Sequence, residues 1–242
     1  MMPPPAPVRR AALVIGLCGL LATSCRTAPD PVMLTLPLPL PAAAGTPEPL
    51  SPGMTAPPVL QIRRVALPEH LLDRHVRYRL GAGTVVNWTD ATWADRLDVS
   101  ITEHLAMRLR AALPGWTVCV RHCPLQPQTL TLRVEFAPFD LLQPQGELVA
   151  DVQWWLDRSA LSGVLTHAGQ LKHREPVSPP TAATQAVAIG RLLDLLAAQI
   201  ASLSRSRLLS EHEQRQQDDD GQRNAQKPQE DGSHDVVLSI KR

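Results

Sequence analysis

Apolar and polar residues alternate with a period of two over several short stretches of this chain, and with a helical period over two long ones. In 59–67, Val59, Leu60, Ile62 and Val65 mark a strand that Pro68 ends. In 76–80, Val76, Tyr78 and Leu80 share one face and Arg77 and Arg79 the other, as a pleated strand requires. Gly81 and Gly83 supply a turn into a further strand at 84–89, which makes a hairpin. Strands are also predicted at 117–120, at 129–139 (Leu130, Leu132, Val134, Phe136), at 147–156 and at 163–174, the last two joined by a turn at 158–163. Ala94, Leu97, Ile101, Leu105, Leu109 and Ala112 recur at intervals of three and four and predict a helix over 93–113, with Asp90 or Thr92 as its cap and Pro114-Gly115 as its stop. A second stripe, Ala182, Ala186, Ile189, Leu193, Leu196, Ile200 and Leu203, predicts a helix over 181–204. Strands, helix, strands, helix is the order of an α+β fold: a mostly antiparallel sheet with two long helices packed on one face.

The flanks read differently. From 206 to 235 Gln, Glu, Asp, Arg and Asn dominate, with Asp218, Asp219 and Asp220 in a row, so 206–242 is expected to be a disordered polar tail in which only 236–240 has the composition of a short strand. Residues 26–58 are rich in Pro, Ala and Leu. The alternation Leu36-Pro37-Leu38-Pro39-Leu40-Pro41 excludes a helix and favours an extended tether, with an early strand at 32–36. Ahead of it, Arg9 and Arg10 precede an apolar run over 11–21 that falls short of the about 20 residues a bilayer span needs. Small residues Ala22-Thr23-Ser24 then lead into Cys25. This layout resembles a bacterial lipoprotein signal, in which residues 1–24 are removed and the Cys25 thiol receives a diacylglycerol and an acyl chain such as palmitate. Cys18 fits less well, because Leu17 stands where a small residue is wanted. The expected plan is signal peptide 1–24, lipidated Cys25 and tether 25–58, body 59–205 and tail 206–242.

A net charge of +1 over 242 residues offers no electrostatic case for nucleic acid. Of the four cysteines, Cys119 and Cys123 remain for the body, in an oxidising compartment. Four apart on a straight strand they lie about 13 Å from each other, so a bond needs the chain to turn within 120–122. A disulfide, within the chain or between subunits, and free thiols both stay open; a metal site lacks further ligands nearby. His70, Asp73 and His75 cluster in sequence, as do His167 and His173, and surface histidines on a turn and a strand account for them. Asn87-Trp88-Thr89 matches a glycosylation sequon, which a bacterial lipoprotein signal makes irrelevant. Trp154 and Trp155 point to opposite faces of a strand, one into the core. No nucleophile elbow, zinc-protease motif or phosphate-binding glycine loop is present, so no catalysis and no cofactor beyond the lipid on Cys25 are expected. Trp88 and Trp93, which no stripe clearly buries, with the Asp73-Arg74 turn, are the expected subunit interface.

Several segments together resemble the ABC-type transport auxiliary lipoprotein family. The run Leu67-Pro68-Glu69-His70-Leu71-Leu72-Asp73-Arg74 is similar to the family's LPxYLDR stretch, with His70 for the aromatic and one residue inserted. Val76 to Arg79 looks like the following IVxR. Trp93-Ala94-Asp95-Arg96-Leu97 looks like RWAxPL, Arg133-Val134-Glu135-Phe136 with Phe139-Asp140 like the V-x-RFD strand, and Val149 to Trp154 like LxAxWxL. The similarity runs over about 32–204 in the family's order, departing at His75, in the longer tether and in the extra tail. It implies a non-enzymatic accessory of an MCE-type lipid transport system, with an MCE-domain protein and an ABC permease and ATPase as partners and a homo-oligomeric state. Arg26 after the acylated cysteine, rather than Asp, implies outer-membrane delivery and a body facing the periplasm. The alternative is a structural or assembly lipoprotein, a chaperone or activator of another envelope machine.

Overall fold

A computed structural model describes residues 30–39, 57–124, 129–158 and 165–225, the last twenty of these by their backbone alone. Cys25, the leader, most of the tether and 226–242 lie outside the described residues. The elements are β1 (Val32–Leu34), β2 (Val59–Ile62), β3 (His75–Gly81), β4 (Thr84–Trp93), α1 (Leu97–Ala112), β5 (Thr117–Cys119), β6 (Thr129–Leu142), β7 (Glu147–Arg158), β8 (Leu165–Pro176) and α2 (Ala182–Ala225).

The fold is α+β, and its eight-stranded sheet is mixed rather than mostly antiparallel. The hairpins β3–β4, β6–β7 and β7–β8 are antiparallel, as local turns dictate. The remaining pairings are parallel: β1 with β4, β2 with β5 and β6, and β3 with β6. They join segments far apart in sequence, and strand direction there is set by tertiary docking, which no local pattern encodes. Long β6 organises the sheet. One edge carries β7 along its whole length; the other carries β2 at Thr129–Leu132, a bridge from Ala66 to Glu135, and β3 at Leu142.

Alternation decides which face is apolar. On β7, Leu148, Ala150, Val152, Trp154 and Leu156 are buried; on β6, Leu132, Val134 and Phe136 are. A one-residue bulge between Phe136 and Phe139 then shifts the register, so that both rings face inward with centroids 5.0 Å apart. Helices α1 and α2 pack on each other and, through α2, on this apolar face, and Ile101, Leu105 and Leu109 of α1 share one core with Ile189, Leu193, Leu196 and Ile200 of α2. The first part of α2, Ala182–Arg205, is apolar and long enough to cross a membrane, but its stripe is the core of this body.

Boundaries moved for physical reasons. The expected helix over 93–113 starts only at Leu97, because Ala91–Trp93 extend β4 and pair with β1. Asp90 and Thr92 therefore cap nothing; the Thr92 hydroxyl donates to the Arg74 carbonyl at 2.8 Å. Gly115, at φ 87°, closes α1 with Pro114 as expected. At the other helix, Thr181 and Thr184 cap reciprocally, each side-chain oxygen accepting from the other's backbone N–H at 3.0 and 3.2 Å. The tail expected to be disordered from 206 is helical in its backbone to Ala225, a continuation favoured by its helix-forming Arg, Leu, Glu and Gln.

Candidate docking surface

The tether does not hang free where it reaches the body. β1 adds an edge strand beside Ala91–Trp93, and Ala94 N–H donates to the Leu34 carbonyl at 2.8 Å. Leu36 is then buried, 2 % exposed, in the core. The Pro37 carbonyl accepts from the Arg108 guanidinium and from His104 Nδ1, each at 3.2 Å. Gly190 makes room: its missing Cβ would stand 3.2 Å from the Pro37 ring. Arg108 is itself buried and donates to Asp194 at 2.6 Å, which ties the tether root to both helices at once. Burial, then the Arg108 charge, lower the His104 pKa against the pull of the Pro37 carbonyl. Beyond this clamp Val32, Met33 and Leu38 are strongly exposed apolar side chains.

Beside β1 lies the corner formed by the turn at 68–74 and the β3–β4 hairpin. Asp73 and Arg74 are exposed there, as expected. The Arg74 guanidinium donates to the Trp93 carbonyl at 3.0 Å, while the Arg74 carbonyl accepts from Trp93 N–H at 2.8 Å. Trp93 itself is core, at 2 % exposed, which corrects its assignment to an exposed interface: as the last residue of β4 its side chain turns inward under β1. Trp88 is half-buried. It stacks obliquely on Tyr78 at 4.4 Å and donates from Nε1 to Gln185 at 3.0 Å. The corner therefore joins Asp73, Arg74 and the Trp93 backbone, with Trp88 further along the same hairpin.

Arg77, which the sequence pattern marks only as an outward strand residue, is the hub. It donates to Asp73 at 2.6 Å, to Asn87 at 2.9 Å and to the His70 carbonyl, and its own carbonyl accepts from Gln185 at 2.8 Å. Gln185 could have been noticed as a polar residue beside the apolar stripe of α2; it is buried because it bridges Arg77 and Trp88. Burial raises the Asp73 pKa, but the His75 amide and the Arg77 guanidinium outweigh it, and the carboxyl titrates below its ordinary range.

The histidines have separate partners. His70 meets Asp140 at 3.1 Å, and Arg79 holds the other oxygen of that carboxylate at 2.9 Å. His75 lies 3.2 Å from Asp73, His173 lies 3.2 Å from Glu175, and His167 stacks near Trp154 at 6.4 Å. Among the described residues no three His, Cys, Asp or Glu side chains cluster as a metal site. At the far edge, Cys119 and Cys123 are joined in a disulfide with Cα atoms 5.6 Å apart, the chain turning through His122 at φ 52°. The corner is thus a preorganised polar surface whose groups are tied to one another.

No curated protein matches the chain. Two solved structures share its fold. One, of an uncharacterized protein, is 21% identical with a TM-score of 0.57, and the match covers 72% of this chain and 97% of that one. The other, a Xanthomonas campestris protein of family DUF330, is 13% identical with a TM-score of 0.54, covering 73% of this chain and 99% of that one. The family model for the ABC-type transport auxiliary lipoprotein component matches residues 37–201, from the clamped tether root to the last buried turns of α2, and the chain belongs to that family.

Proposed function

We propose that this chain is the lipid-anchored accessory subunit of an MCE-type ABC lipid transport system, delivered to the outer membrane through acylated Cys25 and docking there, as a homo-oligomer, on the MCE conduit. Membership of the auxiliary lipoprotein family over 37–201 carries the reading. The lipoprotein-like signal ending at Cys25, and Arg26 after it, support the anchor and its destination. Its chemistry is binding, without catalysis or cofactor. A phospholipid cannot cross water cheaply, since each exposed methylene costs about 0.8 kcal/mol, so a conduit needs a sealed contact where it meets the membrane. The clamped tether root beside the Asp73–Arg74 corner supports this reading, because it offers a rigid polar surface for such a contact.

Affinity purification of the acylated full chain tests this. Co-purifying MCE protein, permease and ATPase are the expected result, with capture and oligomer mass reduced by Trp88→Ala and Arg74→Ala. Capture of a different envelope machine by the intact chain would favour the assembly-lipoprotein reading instead. Unchanged mass and capture in both variants would remove the corner from the interface.

A further inference from the structure

The open face of the sheet carries a second feature, alongside β6. After Ile62 the chain leaves regular strand geometry while keeping its backbone bonds to β6: Arg63 N–H donates to the Leu132 carbonyl and Ala66 N–H to the Val134 carbonyl, each at 2.9 Å. Val65 turns inward, buried, with its N–H donating to Thr102 at 3.1 Å. The consecutive Arg63 and Arg64 are both left exposed, and both line one groove of about 290 Å³ with Arg133, Glu135 and Trp155. In a regular strand they would point to opposite faces.

Arg63, Arg64 and Arg133 thus line the groove together with Glu135. Arg133 is oriented from both sides, donating to Asp157 at 2.8 Å and lying 5.5 Å from the centre of the Trp155 ring. Arg64 is only loosely tied, 3.8 Å from an Asp98 that Arg96 already holds through two bonds of 3.1 Å. No ion pair or side-chain hydrogen bond engages Arg63 among the described residues. Arg63 alone of the three has no carboxylate partner among the described residues, and planar guanidinium groups beside a half-buried indole are suited to a phosphate with an apolar or glycerol substituent.

We propose that this groove binds a phosphate-bearing anion of the lipid-headgroup class, with Arg63, Arg64 and Arg133 contacting phosphate oxygens and Trp155 covering the adjoining ester. The inference rests on the lipid-transport reading only for the choice of lipid as probe. It needs no partner protein, so failure here leaves the capture experiment standing, and the reverse.

The test is calorimetric titration of the full chain in nonionic micelles with dihexanoyl phosphatidate, dihexanoyl phosphatidylcholine and inorganic phosphate. Phosphatidate is expected to bind more tightly than phosphatidylcholine, and Arg63→Gln with Arg64→Gln to weaken it by about tenfold or more. Lys172→Gln with Arg174→Gln, which removes the same charge from the same sheet face near Asp151 and Glu147, is expected to leave the affinity unchanged. Displacement by inorganic phosphate at similar concentration would identify free phosphate as the ligand, and no displacement would identify the headgroup; both support a phosphate site. Equal binding of the two lipids, or equal losses in the two double variants when both unfold at the wild-type temperature, would overturn it.

Discussion

The two faces of the sheet share their strands but not their chemistry, and adjacent residues on β7 show the difference. Trp154 is completely enclosed on the helix-covered face, opposite Gly169 of β8, where a Cβ would overlap the indole atoms Cζ2 and Cε2. Trp155 is half-buried on the open face beside Arg133. The covered face is packed to the point where one added carbon has no place. The open face is held by exposed pairs such as Arg174–Glu147 and Lys172–Asp151, each contributing at most about 1 kcal/mol. Its residues therefore contribute little to stability, whereas the alternate side chains of the same strand form the core.

The contrast breaks most directly at the tryptophans. Trp154→Ala is expected to lose about 3–5 kcal/mol in denaturant unfolding, and Trp155→Ala less than about 1 kcal/mol. Equal losses would erase the distinction. Gly169→Ala comes next, at about 1–3 kcal/mol from overpacking, and its effect should shrink in a Trp154→Leu background that vacates the ring. The Trp154 Nε1 finds no hydrogen-bond partner among the described residues, so Trp154→Phe should lose less than the missing ring area implies. Arg108→Met sharpens the comparison on the covered side. It removes the guanidinium donor to the Pro37 carbonyl and should lower stability by about 1–3 kcal/mol, with faster amide exchange at Leu36.

The smallest effect is in pH. Burial and Arg108 lower the His104 pKa in the folded state, so the unfolded chain takes up a proton first as acid is added. This share of stability is intact above His104's ordinary 6.5 and declines as pH falls below it. Melting temperatures between pH 7.5 and 5 should therefore fall, and His104→Gln should flatten that slope. Asp73 acts in a lower range: its contribution is present above 3.8 and disappears as pH falls through its lowered value. Its carboxylate is nearly half exposed, so the effect is small.

Much of the body was legible in the chain because alternation and helical spacing are local. The 76–80 strand, the glycine turn after it, the long β6 and β7 strands and the stripes of both helices need no knowledge of neighbours. The failures share a cause. Trp93 reads as a helix start, yet β1 recruits it into a strand from sixty residues away. Arg77 and Gln185 become the hub of the corner only when β3 meets α2. Arg63 and Arg64 line one groove because Val65 is drawn into the core between them and the rest.

What the chain determined by itself was its list of strands and helices. Tertiary structure decided the mixed strand directions, the clamp on Pro37, the burial of Trp93 and the bringing of Arg63, Arg64 and Arg133 to one groove. Side-chain period is written in neighbouring residues, whereas strand partners and convergent charges depend on contacts between segments that only the packed core brings together.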